Sequence, residues 1–114
     1  MTRLSILFAA MLVAASPALA HGLMQRATPM AGEALKQSPT AIVLEFSEAL
    51  ADGSDIIVTD QKGRLVPAGT AVFSAKTLKL KLPPLQPGIY RVRWHAVSVD
   101  THKTQGSYPF RIMP

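Results

Sequence analysis

Asp100 and His102 stand two residues apart in the segment SVDTHKTQGS, residues 98–107, after one alternating apolar run and before the last. In an extended backbone residues i and i+2 project to the same side, so a carboxylate and an imidazole would point together there. One oxygen and one nitrogen donor held that way suit a cation, and neutral imidazole favours Cu, Zn, Ni or Fe. The plainer reading is a loop in which Asp100 caps a turn beside a solvated His102. A further donor set lies at the other end of the chain. If the first twenty residues are removed, His21 becomes the amino-terminal residue and carries a free α-amine. With a pKa near ~8, that amine gives up its proton to a metal at neutral pH at small cost. The amine and Nδ1 of the same residue can close a six-membered chelate ring, which no internal histidine can do. The bland alternative is that some residue must follow the cleavage site, and here it is His.

The removal itself is an expectation from residues 1–20, MTRLSILFAAMLVAASPALA. Arg3 gives a positive start, residues 4–15 an apolar run, and Ala18-Leu19-Ala20 a small-x-small cleavage site. The run is too short for a bilayer, which takes ~20 residues. The earlier small stretch Ala14-Ala15-Ser16 is followed by Pro17, a poor residue after a cut. Cleavage after Ala20 implies export, with a bacterial periplasm as destination. It leaves residues 21–114 as one domain with no membrane span.

Those donors must be positioned by short strands. Of the 114 residues 48% are hydrophobic, which excludes a disordered chain, and no repeat points to a solenoid. There is no Cys, hence no disulfide frame, thiolate zinc site or cysteine nucleophile. Lys and Arg number 12 against 7 Asp and Glu, an evenly spread excess that speaks for solubility and not for nucleic acid. Alternation is clear at 40–47, 55–60, 77–82, 88–97 and 106–112. A first strand near 23–27 and a weak one at 70–74 make about seven. Turn signals every 8–12 residues then predict an all-β fold, a single antiparallel Greek-key sandwich of immunoglobulin-like type. Phe46, Leu80, Trp94 and Phe110 should share its core. Residues 29–33 and 85–88 read as loops, with room for a short helical turn at 30–36 or at 48–51.

Three stretches carry a resemblance to a family: HGLMQRATPMAGE, LEFSEAL and GIYRVRWHAVSVDTHKTQGSYPFRI. In order and spacing they resemble the CopC copper-binding proteins of the bacterial periplasm, over essentially the whole chain after residue 20. The resemblance implies one Cu(II) per mature chain, held by the amine and imidazole of His21, the imidazole of His102 and Asp100. Glu48 matches a glutamate that some members place near the metal, and reads as an auxiliary ligand or an exposed acid. His95 shares a strand face with Arg91 and Arg93, and reads as a neighbour of the site or a surface histidine. Some members also hold Cu(I) on several Met and a His in mid-chain. Residues 31–94 contain neither type, so soft Cu(I) has no evident home here.

The implied role is a monomeric copper carrier or buffer in homeostasis or resistance, not an enzyme. A CopD-type inner-membrane copper transporter is the implied partner. Two other classes compete. An amino-terminal His with a second His is also the copper site of oxidative polysaccharide-cleaving enzymes. Those present a flat aromatic surface, whereas Trp94, Tyr90 and Tyr108 all sit at inward positions. The other is a metal-free envelope interaction module, which fold alone does not exclude.

Overall fold

A strand with one apolar face must lay that face on another layer, and two such sheets close a core between them. The computed structural model describes residues 24–114. Eight strands run through them: β1 (Met24–Thr28), β2 (Ala34–Leu35), β3 (Ala41–Phe46), β4 (Asp55–Asp60), β5 (Val72–Ser74), β6 (Thr77–Lys81), β7 (Gly88–Val97) and β8 (Lys103–Ile112). One sheet has the order β1-β3-β6-β5 and the other β2-β8-β7-β4. The expected signal segment over residues 1–20, and His21 after it, lie outside the described residues. Among those described, no helix is long and apolar enough to cross a membrane.

Each long strand buries the face that its alternation assigns. Ile42, Leu44 and Phe46 of β3 meet Val92, Trp94 and Ala96 of β7, with Phe110 of β8 and Leu80 of β6 in the same core. Phe46 packs edge-on against Trp94, ring centroids 5.5 Å apart, and Tyr90 stacks on Phe110 at the same spacing. Across the β7–β8 ladder Trp94 faces Gly106. A Cβ at that glycine would fall 2.8 Å from Trp94 Cζ2, so the indole occupies the space a side chain would need.

Seven expected strands become eight because Ala34–Leu35 pairs in parallel with Arg111–Ile112 of β8. The helical turn expected at 30–36 is absent for the same reason. Glu33 Oε1 accepts the Met30 N–H at 2.9 Å, and the Glu33 N–H reaches Met30 O at 3.1 Å. That closes a tight turn and hands the chain straight to the sheet. The segment 48–51 is not helical either: buried Leu50 bridges to Ser98. β8 starts at Lys103, three residues before its apolar alternation becomes visible.

The pairings gather particular chain segments at one end of the sandwich. Met24, the first residue of β1, lies opposite Phe46, the last of β3. The chain leaving β3 then runs against the chain leaving β7. Ala51 N–H donates to Val97 O at 2.8 Å, and Val99 N–H to Ala49 O at 3.0 Å. Ser54 fastens the same loop, its hydroxyl donating to Ala51 O at 2.9 Å and accepting the Val97 N–H at 2.9 Å.

Candidate metal centre

Between β7 and β8 the chain reverses over five residues. Ser98 N–H donates to His102 O at 2.9 Å, and Thr101 N–H to Ser98 O at 2.8 Å. Thr101 takes a left-handed backbone, φ +71°, to make the reversal. The extended Asp-x-His segment expected from spacing is therefore a tight turn. Asp100 and His102 are brought together by local hydrogen bonds and not by strand periodicity.

Ser98 organises that turn from inside. It is 1% exposed, and its hydroxyl donates to Asp100 Oδ1. The His102 N–H is shared between Ser98 Oγ and Asp100 Oδ1, at 3.2 Å each. These donors favour the ionised carboxylate. The Ser98 hydroxyl first, and the His102 N–H after it, hold Asp100 below the usual carboxylate range. Oδ2 takes no part in those contacts. Both Asp100 and His102 are exposed, so a charged oxygen and an imidazole reach solvent on one rim. Ser98, which closes this turn, is a residue that the motif alone does not single out. Its i, i+2, i+4 spacing with Asp100 and His102 was the available signal for a side-chain-closed turn.

The two auxiliary candidates lie on segments that adjoin the turn. Glu48, partly exposed, lies on the segment that Ala49 and Leu50 tie to Val99 and Ser98. His95 is on β7, and with His102 it lines a solvent-open cleft. Its Nδ1 lies 3.0 Å from Gly53 O. Among the described residues no three His, Asp or Glu side chains form a metal-holding group. Asp100 and His102 thus present two donors, and a tight site needs more. Met24 packs partly buried against the core, while Met30 and Met113 are exposed at scattered positions.

Among the described residues the chain is a helix-free two-sheet sandwich, and that fold matches a known class of β domain. Residues 24–113 match the CopC domain, and the chain belongs to the CopC family. Among its relatives is protein YobA of Escherichia coli strain K12, 36% identical over 98 residues, which cover 82% of this chain and 79% of that protein. Copper resistance protein C of Pseudomonas syringae pv. tomato is 34% identical over 117 residues, covering 93% of this chain and 91% of that one. The crystal structure of CopC from Methylosinus trichosporium OB3b superposes with a TM-score of 0.76 at 29% identity, over 81% of this chain and 93% of that chain.

Proposed function

We propose that this chain is an exported copper carrier or buffer of the periplasm that binds a single Cu(II) and catalyses nothing. The ligands are the α-amine and imidazole of His21, the imidazole of His102 and the carboxylate of Asp100. Three nitrogens and an oxygen suit tetragonal Cu(II). The observation that carries the reading is the pairing of Met24 with Phe46 at the end of the sandwich that bears the 98–102 turn. Three residues span at most about 11 Å, so a chain cut after Ala20 would begin no farther than that from Met24, which supports an amino-terminal ligand at this end. The chemistry of the turn fits the ion as well. Asp100 is held ionised and keeps Oδ2 out of its internal bonds, so it can ligate without first losing a proton. Copper resistance protein C, the name of a relative matched over most of its length, supports copper as the cargo. A CopD-type membrane transporter is the proposed recipient or donor.

The test is Cu(II) affinity by chelator competition near neutral pH, comparing chain 21–114 with the same chain extended by one Gly before His21. The extension removes the amine from the site and opens the chelate ring. Affinity is expected to fall by orders of magnitude, and more steeply as pH drops, because protons compete for amine and imidazoles alike. Equal affinities would sink the amino-terminal ligand. A parallel Cu(I) titration is expected to show no tight site.

A further inference from the structure

His95 is the one histidine that the proposed site leaves unused, and a backbone carbonyl orients its ring. A carbonyl oxygen only accepts, so the 3.0 Å contact from Nδ1 to Gly53 O puts the ring proton on Nδ1. In the neutral imidazole the lone pair is then on Nε2. A backbone carbonyl fixing one ring nitrogen is the usual way that a metal-ligating histidine is oriented. The carbonyl is itself held firmly. Gly53 has φ +100° and sits against Val97, where a Cβ would come 3.2 Å from Cγ2, and Ser54 bonds the same loop to Val97.

His95 also has a companion. With His102, Lys103, Thr104 and Gln105 it lines a solvent-open cleft of about 400 Å³. On its other side its cross-strand neighbour is exposed Asp55, a negative charge on the same sheet face. Lys103 at the rim opposes a cation, although its ammonium is exposed and can swing away.

We propose that His95 and His102 form a two-imidazole landing site for Cu(II) in this cleft, independent of the amino terminus. The proposal rests on the copper-carrier reading, because His102 is shared with the tight site. Two protein donors, with water completing the shell and Lys103 nearby, hold the ion weakly. That suits a transfer station rather than a store. Passage to the tight site is ligand exchange with copper remaining Cu(II). His102 stays bound, His95 Nε2 and the bound waters leave, and the His21 imidazole, its amine and the Asp100 carboxylate take their places as the amine releases its proton to solvent.

The experiment uses chain 21–114 and its Gly-extended form, each with and without His95→Gln, titrated with Cu(II) alone. Paramagnetic broadening of the histidine ring resonances and chelator competition are the readouts. In the Gly-extended protein the rings of His95 and His102 are expected to broaden together at substoichiometric Cu(II). His95→Gln should lower the remaining affinity at least tenfold, an effect on the order of those seen when a ligand's support is lost. An unchanged amide spectrum shows that the variant is folded. A sharp His95 ring beside a broadened His102, or an affinity indifferent to His95→Gln, overturns the landing site. If the Gly-extended and unextended chains bind equally, the amino-terminal reading fails, while joint broadening of His95 and His102 would still uphold the landing site.

Discussion

Asp60 and Asp100 each close a tight turn, at opposite ends of β7, and the two turns use the same chemistry to different ends. Asp60 Oδ1 accepts the N–H groups of Lys62 and Arg64 at 2.9 Å each, and Oδ2 pairs with Arg64 Nε at 3.3 Å. Both oxygens are engaged, and the charge has a cationic partner. Asp100 Oδ1 likewise takes two local donors, from Ser98 and His102, but no arginine or lysine closes on it among the described residues. The left-handed position differs as well. Gly63 fills it in the first turn at φ +80°, where glycine carries no Cβ penalty. Thr101, a β-branched residue, fills it in the second at φ +71°. One turn is complete in itself. The other leaves a charged oxygen, an imidazole and backbone strain at an exposed rim.

The sharpest way to break this contrast is to exchange charge for amide in each turn. Asp100→Asn should lower Cu(II) affinity about tenfold to a hundredfold, with His102→Ala costing more because it removes a nitrogen donor. Asp60→Asn should leave copper affinity unchanged and lower only stability. Chelator competition and urea unfolding of the same two proteins decide it. If Asp60→Asn weakens copper as much as Asp100→Asn, the effect is one of overall charge and not of ligation.

A smaller effect is expected from backbone chemistry in the first turn. Gly63→Thr forces a β-branched residue into the left-handed region, with no neighbour within 4 Å to complicate the reading. The cost should be about 1–2 kcal/mol in unfolding free energy. A neutral outcome would show that the position tolerates side chains and that the contrast with Thr101 is empty.

Smaller again is the response to acid. The Arg64 N–H is the largest influence holding Asp60 low, and the Ser98 hydroxyl plays that part for Asp100. A carboxyl whose folded pKa is depressed contributes stability that is fully present above its unfolded value, near ~3.9. That contribution is lost as pH falls through the lowered folded value. Stability of the metal-free chain should therefore be insensitive to these groups from pH 7 down to about 4, and fall below that. Asp60→Asn and Asp100→Asn should each flatten the acid limb measured by urea unfolding between pH 5 and 2. An unflattened limb in Asp100→Asn would mean that its turn is not closed by the carboxylate in solution.

The long strands and several turns were legible, while the short pairing at 34–35, the start of β8 and the exact form of the 98–102 reversal were not, for physical reasons. Period-2 burial of Leu78 and Leu80, or of Tyr90, Val92, Trp94 and Ala96, is written directly in residue types, and both segments form where expected. Ala34–Leu35 is too short to carry a period, and pairs only because β8 offers it an edge. The start of β8 was hidden because Lys103, Thr104 and Gln105 are all polar, so nothing there alternates. Asp100 and His102 were found as a pair, but spacing suggested an extended strand. The reversal at Thr101 is closed by Ser98, which is buried where it bridges to Leu50, a partner too far along the chain for any local window to contain.

Thr101 provides the finest test of whether its turn is shaped for a ligand. Left-handed backbone at a non-glycine residue costs about 1–3 kcal/mol. Thr101→Gly removes that cost but gives back about 0.4–1 kcal/mol through the greater freedom of the unfolded chain. It also deletes the Thr101 hydroxyl bond to Asp100 O, which is exposed and contributes little. The net change in unfolding free energy should be stabilising, by up to about 2 kcal/mol. Copper affinity should move the other way by a few-fold, because a freer turn must be ordered before Asp100 and His102 face one ion. Opposite signs in the two measurements would mark the strain as a device for presenting the donors. A loss of stability with unchanged affinity would mean that Thr101 rests comfortably at φ +71°, and that the turn differs from Asp60's only in its missing cation.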